Sequence, residues 1–336
     1  MRVRNIRYFI VSFMVILILP QYAWNSSIKI RSLQPSHSFN TVADSVFIGY
    51  VGSIVADDGR IYLRDDGLKK IIMLNERFSF LGYIGQPGLG PGELHSPLRL
   101  RVHDKTLYIY NKAGTTIDIY AENGNFVHSY PLPFQSTDFA VGTDSVLYFP
   151  AYPQDRKSAK IWGATLSGEI VEKFGSYSKD DFKYPGGRWQ ELAQDAQGDI
   201  ISIMVSEPVI EKYAGNGQLV DRINLRGIQE LAAYWHSLDV KRREAAANRS
   251  MIRSINNSAI HKNYLFLATS YGESYGTIIV LKVTPHLQPV TLLRVYGNEE
   301  NGNVWPGSIC VTAAEQMILY DVFSGNVFVY DLPQDL

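Results

Sequence analysis

A six-residue phrase occurs twice in this chain, and it limits the fold more than any other feature. FIGYVG stands at 47–52 and FLGYIG at 80–85; four positions are identical and the other two exchange one aliphatic residue for another. Weaker echoes follow: FVHSY at 126–130, IVEKFG at 170–175, LVDRI at 219–223 and LLRVYG at 292–297. Six spaced copies of one short strand signal a repeat architecture, in which each unit buries its apolar face against its neighbours. Five copies follow other strand-like segments, as the last strand of a unit would. The first has no strand before it, and the C-terminus has strands without a final partner. The spacing therefore predicts a ring of six blades, with 46–50 pairing beside 326–330.

Alternation within each unit supports the count. RIYLR at 60–64 follows the hairpin signal Asp58-Gly59, and KIIML at 70–74 follows Asp65, Asp66 and Gly67. Glycine accepts positive φ at little cost, so such pairs turn the chain. The second unit repeats this with LRLRV at 98–102, TLYIY at 106–110 and TIDIY at 116–120. Four short strands separated by turn residues make one propeller blade. Residues 44–332 divide into six units of about 48 residues, within the usual range for such repeats. The expected fold class is an all-β, six-bladed β-propeller closed by an N-terminal strand.

Residues 227–257 break the alternation. Residues 229–248 contain neither Gly nor Pro, are rich in helix formers, and place Leu231, Tyr234, Trp235 and Leu238 at helical spacing. A helical insertion is expected here, between the fourth and fifth blades, acting as a lid over the ring or as a plug within it.

At the N-terminus, Arg2, Arg4 and Arg7 precede a 12-residue apolar run at 8–19. That pattern fits an export signal, and as a helix the run spans about 18 Å against the ~30 Å of a bilayer core. We expect residues 1–23 to be a signal peptide or N-terminal anchor and 24–43 a linker. The protein is then placed in the periplasm, the cell envelope or outside the cell. Membrane attachment is expected only through an uncleaved N-terminal segment.

Net charge is −1, from 32 basic and 33 acidic residues, so the basic footprint of a nucleic-acid binder is missing. Cys310 is the only cysteine and excludes an intrachain disulfide.

GQPGLGPGEL at 85–94, then Pro97, a strand, a Gly- or Asp-bearing turn and an Ile-Tyr pair, resembles the NHL-type propeller repeat. The motif covers 53–110; the periodicity covers 44–332. The resemblance implies a binding scaffold, or, as in some exported relatives, a lyase or lactone hydrolase with a metal in the central channel.

The glycine-rich stretch lacks a following Lys-Ser/Thr and opens no helix, so it is a connector and not a phosphate loop. A channel metal needs ligands recurring on equivalent inner strands. His95, His103, His236 and His261 do not recur in that way, and no cofactor is expected; Ca²⁺ or Zn²⁺ belongs to the enzymatic alternative. No catalytic residue is assigned.

Connections from one blade to the next and turns between second and third strands share a face. On it fall Arg64, Asp66, Tyr152, Arg156, Arg188, Trp189, Trp235, Tyr271, Tyr275 and Trp305. Aromatics beside arginine are the usual composition of binding hot spots. These ten are the candidate ligand-binding residues, and the expected ligand is a protein, peptide or glycan.

Overall fold

The computed structural model describes residues 27–43, 46–111, 115–143, 145–151, 158–178, 189–247, 252–269, 275–298 and 302–336. Four short strands come first: β1 (Lys29–Leu33), β2 (His37–Phe39), β3 (Thr41–Val42) and β4 (Val46–Phe47). Six sheets then follow in sequence order. Blade one is β5 (Val51–Asp57), β6 (Arg60–Asp65), β7 (Lys70–Asn75) and β8 (Phe80–Ile84). Blade two is β9 (Pro97–His103), β10 (Thr106–Asn111), β11 (Thr116–Tyr120) and β12 (Phe126–Pro131). Blade three is β13 (Ala140–Val141), β14 (Val146–Pro150), β15 (Ala159–Thr165) and β16 (Ile170–Ser176). Blade four is β17 (Gln190–Gln194), β18 (Ile200–Met204), β19 (Val209–Tyr213) and β20 (Leu219–Asn224). Blade five is β21 (Asn257–His261), β22 (Tyr264–Thr269), β23 (Gly276–Lys282) and β24 (Gln288–Val295). Blade six has β25 (Pro306–Val311), β26 (Gln316–Asp321) and β27 (Val327–Asp331). Within each blade these strands form an antiparallel meander, as the turn spacing requires.

The six-bladed, all-β architecture stands, but the segment expected to complete blade six does not. β2 pairs antiparallel with β27, with Ser38 opposite Phe328. Val46–Phe47 pairs instead with Thr41–Val42. The reason is length. β5 begins at Val51, so an outer strand at 46–50 would leave no chain to cross three strand spacings, ~14 Å, to the channel. Between β8 and β9 residues 85–96 make that crossing; residues 40–50 make it here. The linker expected at 24–43 also departs from expectation along its described part. β1 adds to the outer edge of blade five, parallel to β24, and Ile28 packs in the core beside Leu231 and Trp235.

The core lies between blades. Blades one and two meet through Tyr62, Ile71, Leu100 and Leu107. Blades six and one meet through Ile318, Val327, Ile54 and Leu63, so the last and first blades pack as the internal pairs do. The helical insertion is present as α1 (Ala232–Ala247), preceded by two 3₁₀ turns.

Candidate upper-face binding site

In a four-stranded meander, strand one and strand three run from the same face. The blade-to-blade connectors and the turns between strands two and three therefore open together, on what we term the upper face. Its connectors are tied down by one device used three times. A side chain ending the second strand accepts a backbone N–H from the incoming connector: Gly49 N to Asp65 (2.6 Å), His95 N to Asn111 (3.1 Å) and Trp305 N to Asp321 (2.7 Å). Asp65 and Asp321 also accept backbone N–H groups of the following turn. Asp65 and Asp321 are fully buried and Asn111 nearly so; each polar atom they spend on the chain is repaid by a bond that fixes a loop.

Below these loops an ionic network lies in the upper channel. Arg99, third residue of β9, donates to Glu191 Oε1 of blade four (2.5 Å) and sits 3.6 Å from Asp138, just before blade three. Arg101 donates to both oxygens of Asp138 (2.8 and 2.9 Å) and to the carbonyls of Phe139 and Leu192. Ser258 of blade five donates to the other oxygen of Glu191 (2.9 Å). Asp138 and Glu191 are almost wholly buried. Burial by itself lowers Arg99, but the carboxylates of Glu191 and Asp138 outweigh it and hold the guanidinium above its ordinary value.

Arg64 comes from blade one. It makes a two-pronged bond to Asp66 (2.7 and 2.8 Å), the geometry arginine prefers with a carboxylate. Its guanidinium rests on Gly52 of the inner strand, where a Cβ would fall 1.7 Å from Nη2. Burial pulls Arg64 below its ordinary value, against the pull of Asp66. Arg253, in the connector entering blade five, lies 5.4 Å over the Trp189 ring. It is also lowered, chiefly by burial, against the pull of Glu191, and further by Arg99.

Among the sequence-predicted residues, Arg64, Asp66 and Trp189 thus border one site. Trp305 stands on the same face at blade six, half-exposed, edge-on to the exposed Phe323 ring (5.1 Å). Tyr275 is held elsewhere, between Tyr296 (5.6 Å) and the Arg294 guanidinium of the outer strand (4.9 Å). Trp235 is a correction: it is 3 % exposed, packed with Ile201, Ile279 and Leu281, and donates Nε1–H to the Leu225 carbonyl (3.0 Å). Tyr234 is equally buried and bonds the Ser254 carbonyl. A helix anchored through its apolar stripe fills space and does not present Trp235 to a ligand. Tyr152, Arg156, Arg188 and Tyr271 lie outside the described residues, as does the segment 1–23.

Sequence reading missed Arg99, Arg101, Asp138, Glu191 and Arg253. One signal was available. Arginines at alternate positions of LRLRV share a face of an inner strand, and an inner strand has only the channel and its neighbours to face.

Beneath the network the channel holds a cavity of about 190 Å³, lined by all six inner strands, with Ala56, His103, Gln194 and Ile260 at its lower end. Cys310 also lines it; burial pushes its thiol far up, so it stays a protonated, unreactive thiol. Among the described residues, no group of three or more His, Cys, Asp or Glu side chains could hold a metal ion. The donor set of the described residues therefore does not by itself fit a channel metal.

No family model matches the chain, the NHL repeat included, and no curated protein matches it. Solved structures do share its fold. A member of the DUF4221 family from Bacteroides vulgatus is 10% identical, with 89% of this chain and 97% of that one covered, at a TM-score of 0.57. The virginiamycin B lyase of Staphylococcus aureus is 12% identical, with 88% and 99% covered, at 0.53. A candidate exported protein of Bacteroides fragilis is 13% identical, with 78% and 80% covered, at 0.52. At these identities the likeness is one of fold, a six-bladed β-propeller.

Proposed function

We propose that this chain is an exported, non-enzymatic propeller that binds a protein, peptide or glycan through its upper-face loops. The observation that carries the reading is the convergence of Arg64, Arg99, Arg253 and the half-exposed Trp189 at one mouth of the channel, on loops pinned by buried side chains. Arginine and tryptophan held rigid and partly open form the usual anchor of a recognition surface, since little side-chain entropy remains to be lost on binding. Export is supported by the N-terminal sequence pattern and by the candidate exported protein that shares the fold. Among the described residues no helix is long and apolar enough to cross a membrane.

The test is a screen of the labelled chain against immobilised glycans and peptides, with Trp189→Ala as the control. A hit lost in that variant supports the reading; hits that ignore Trp189 and Trp305 alike overturn it. N-terminal sequencing of exported material tests the rest.

A second reading, a metal-dependent lyase or lactone hydrolase acting in the channel, is favoured by one observation, the fold shared with the virginiamycin B lyase. Any metal site would have to draw ligands from outside the described residues. Stoichiometric Ca²⁺ or Zn²⁺ in the purified protein would favour it.

A further inference from the structure

Among the described residues, the upper mouth carries more positive charge than it neutralises. Four guanidinium groups, of Arg64, Arg99, Arg101 and Arg253, face three carboxylates, of Asp66, Asp138 and Glu191. Among the described residues the surplus is one positive charge. Asp65 does not cancel it: its oxygens are taken by the backbone N–H groups of Gly49, Gly67 and Leu68, and it neighbours Tyr320 of blade six. Arg253 is the unmatched group. Among the described residues it has no ion pair and no hydrogen bond, only the Trp189 ring beneath it.

Two donors at the same mouth are also unmet. Among the described residues, Arg64 Nη1 and Arg99 Nε are buried and make no hydrogen bond, Arg99 Nε lying 3.6 Å from Asp138 Oδ1. Arg64 is 6 % exposed, and Gly52 leaves its guanidinium the space it occupies. A buried donor without an acceptor is costly, and a planar guanidinium is satisfied best by an oxyanion. Arg64 and Arg253 each lie near enough to Arg99 to feel its charge, with Tyr50 close by. Tyr50 is half-exposed, as is Trp189, so aromatic surface flanks the charge.

We propose that the upper mouth captures its ligand through a single carboxylate, received by Arg64, Arg99 and Arg253, with the ligand body against Trp189 and Tyr50. This rests on the upper-face binding reading and names its chemical class. The carboxylate comes from a uronic acid or from the C-terminus of a peptide, and one charge matches the surplus of one.

Matched probes test it on the full chain by calorimetry: glucuronate against methyl glucoside, and N-acetylphenylalanine against its amide. At least one acid should bind and its neutral counterpart bind about tenfold or more weakly. The acid that binds identifies the source. Arg253→Gln should weaken that acid about tenfold, and added salt should weaken it too. Should the variant fold poorly, the Trp189 indole N–H resonance of the wild-type protein should move with the acid and not with the neutral probe. Equal binding of acid and neutral probes, or no acid binding at about 10 mM, overturns the proposal. If neutral probes bind and depend on Trp189 but not on Arg253, the carboxylate falls while upper-face binding stands. If screened ligands ignore Trp189 as well, both fall.

Discussion

Arg99 of blade two and Glu191 of blade four are joined at 2.5 Å, past the face of blade three. Inner strands that never pair by backbone are thus tied by side chains, with Asp138 of blade three and Ser258 of blade five drawn into the same network. Neighbouring blades share no backbone ladder, and packing with scattered side-chain bonds holds them together. The network adds a polar fastening at the place where the channel opens upward, and it sets the positions of the arginines around the mouth.

Glu191→Gln keeps the shape and removes the charge. It leaves Arg99 buried beside Asp138 alone, and removing one partner of a buried pair costs about 3–5 kcal/mol. The midpoint of urea unfolding should fall accordingly. The double variant Arg99→Met, Glu191→Leu should recover much of the loss, because desolvating the pair offsets most of its attraction. A double variant as unstable as the single one would show that the network contributes net stability.

Three tryptophans should separate cleanly. Trp235→Ala removes a buried ring and a hydrogen bond from the cluster between blades four and five, and should cost about 3–5 kcal/mol. Trp189→Ala and Trp305→Ala remove half-exposed rings and should stay within about 1 kcal/mol of the wild-type protein. Unfolding midpoints of the three variants decide it. Equal losses would place Trp189 or Trp305 in the core.

The blades were legible because alternation and turn glycines report the sheet directly. The outer strands β8, β12, β16, β20 and β24 fall on the five later echoes of the repeated phrase. The phrase at 47–52 misled because a strand-like string says nothing of the distance the chain must next cover. HSF at 37–39, only three residues long, carries no periodic signal and draws its strand character from the free edge of β27. The site was half legible for a related reason. Arg64 and Trp189 stand beside turn signals and read as loop residues. Arg99, Asp138 and Glu191 meet only because three blades converge on one axis, and no local pattern encodes a contact between positions 99 and 191. Trp235 was placed on its helix correctly; only the packing of Ile201 and Ile279 around it reveals which way it faces.

A chain beginning at residue 40 would lack β1 and β2. The outer edge of β27 would then stand open, and open edges template intermolecular pairing. We expect a lower melting temperature and a concentration-dependent increase in size by light scattering, relative to a chain beginning at residue 27. A truncated chain that stays monomeric and melts with the longer one would mean that three-stranded blade six is self-sufficient.

Docking of β1 should depend on acid pH. Arg31 donates from both Nη atoms to the two oxygens of Asp335, each at 2.5 Å. The hydrogen bond from Arg31 holds the Asp335 carboxyl at about 2, against an ordinary value of 3.8. A carboxylate lowered in the folded state stabilises above its unfolded value and loses that contribution as pH falls through the folded one. The tie between the N-terminal strand and the C-terminal tail is therefore complete above about pH 4 and fades toward pH 2. The pair is exposed, so the effect should be local and should shrink in high salt. Amide exchange along Lys29–Leu33 should quicken across that window, relative to the strands of blade two. In Arg31→Ala, Asp335 should titrate near its ordinary value and the exchange of β1 should lose its step between pH 4 and 2. A step that survives the substitution would assign the acid sensitivity to another carboxylate.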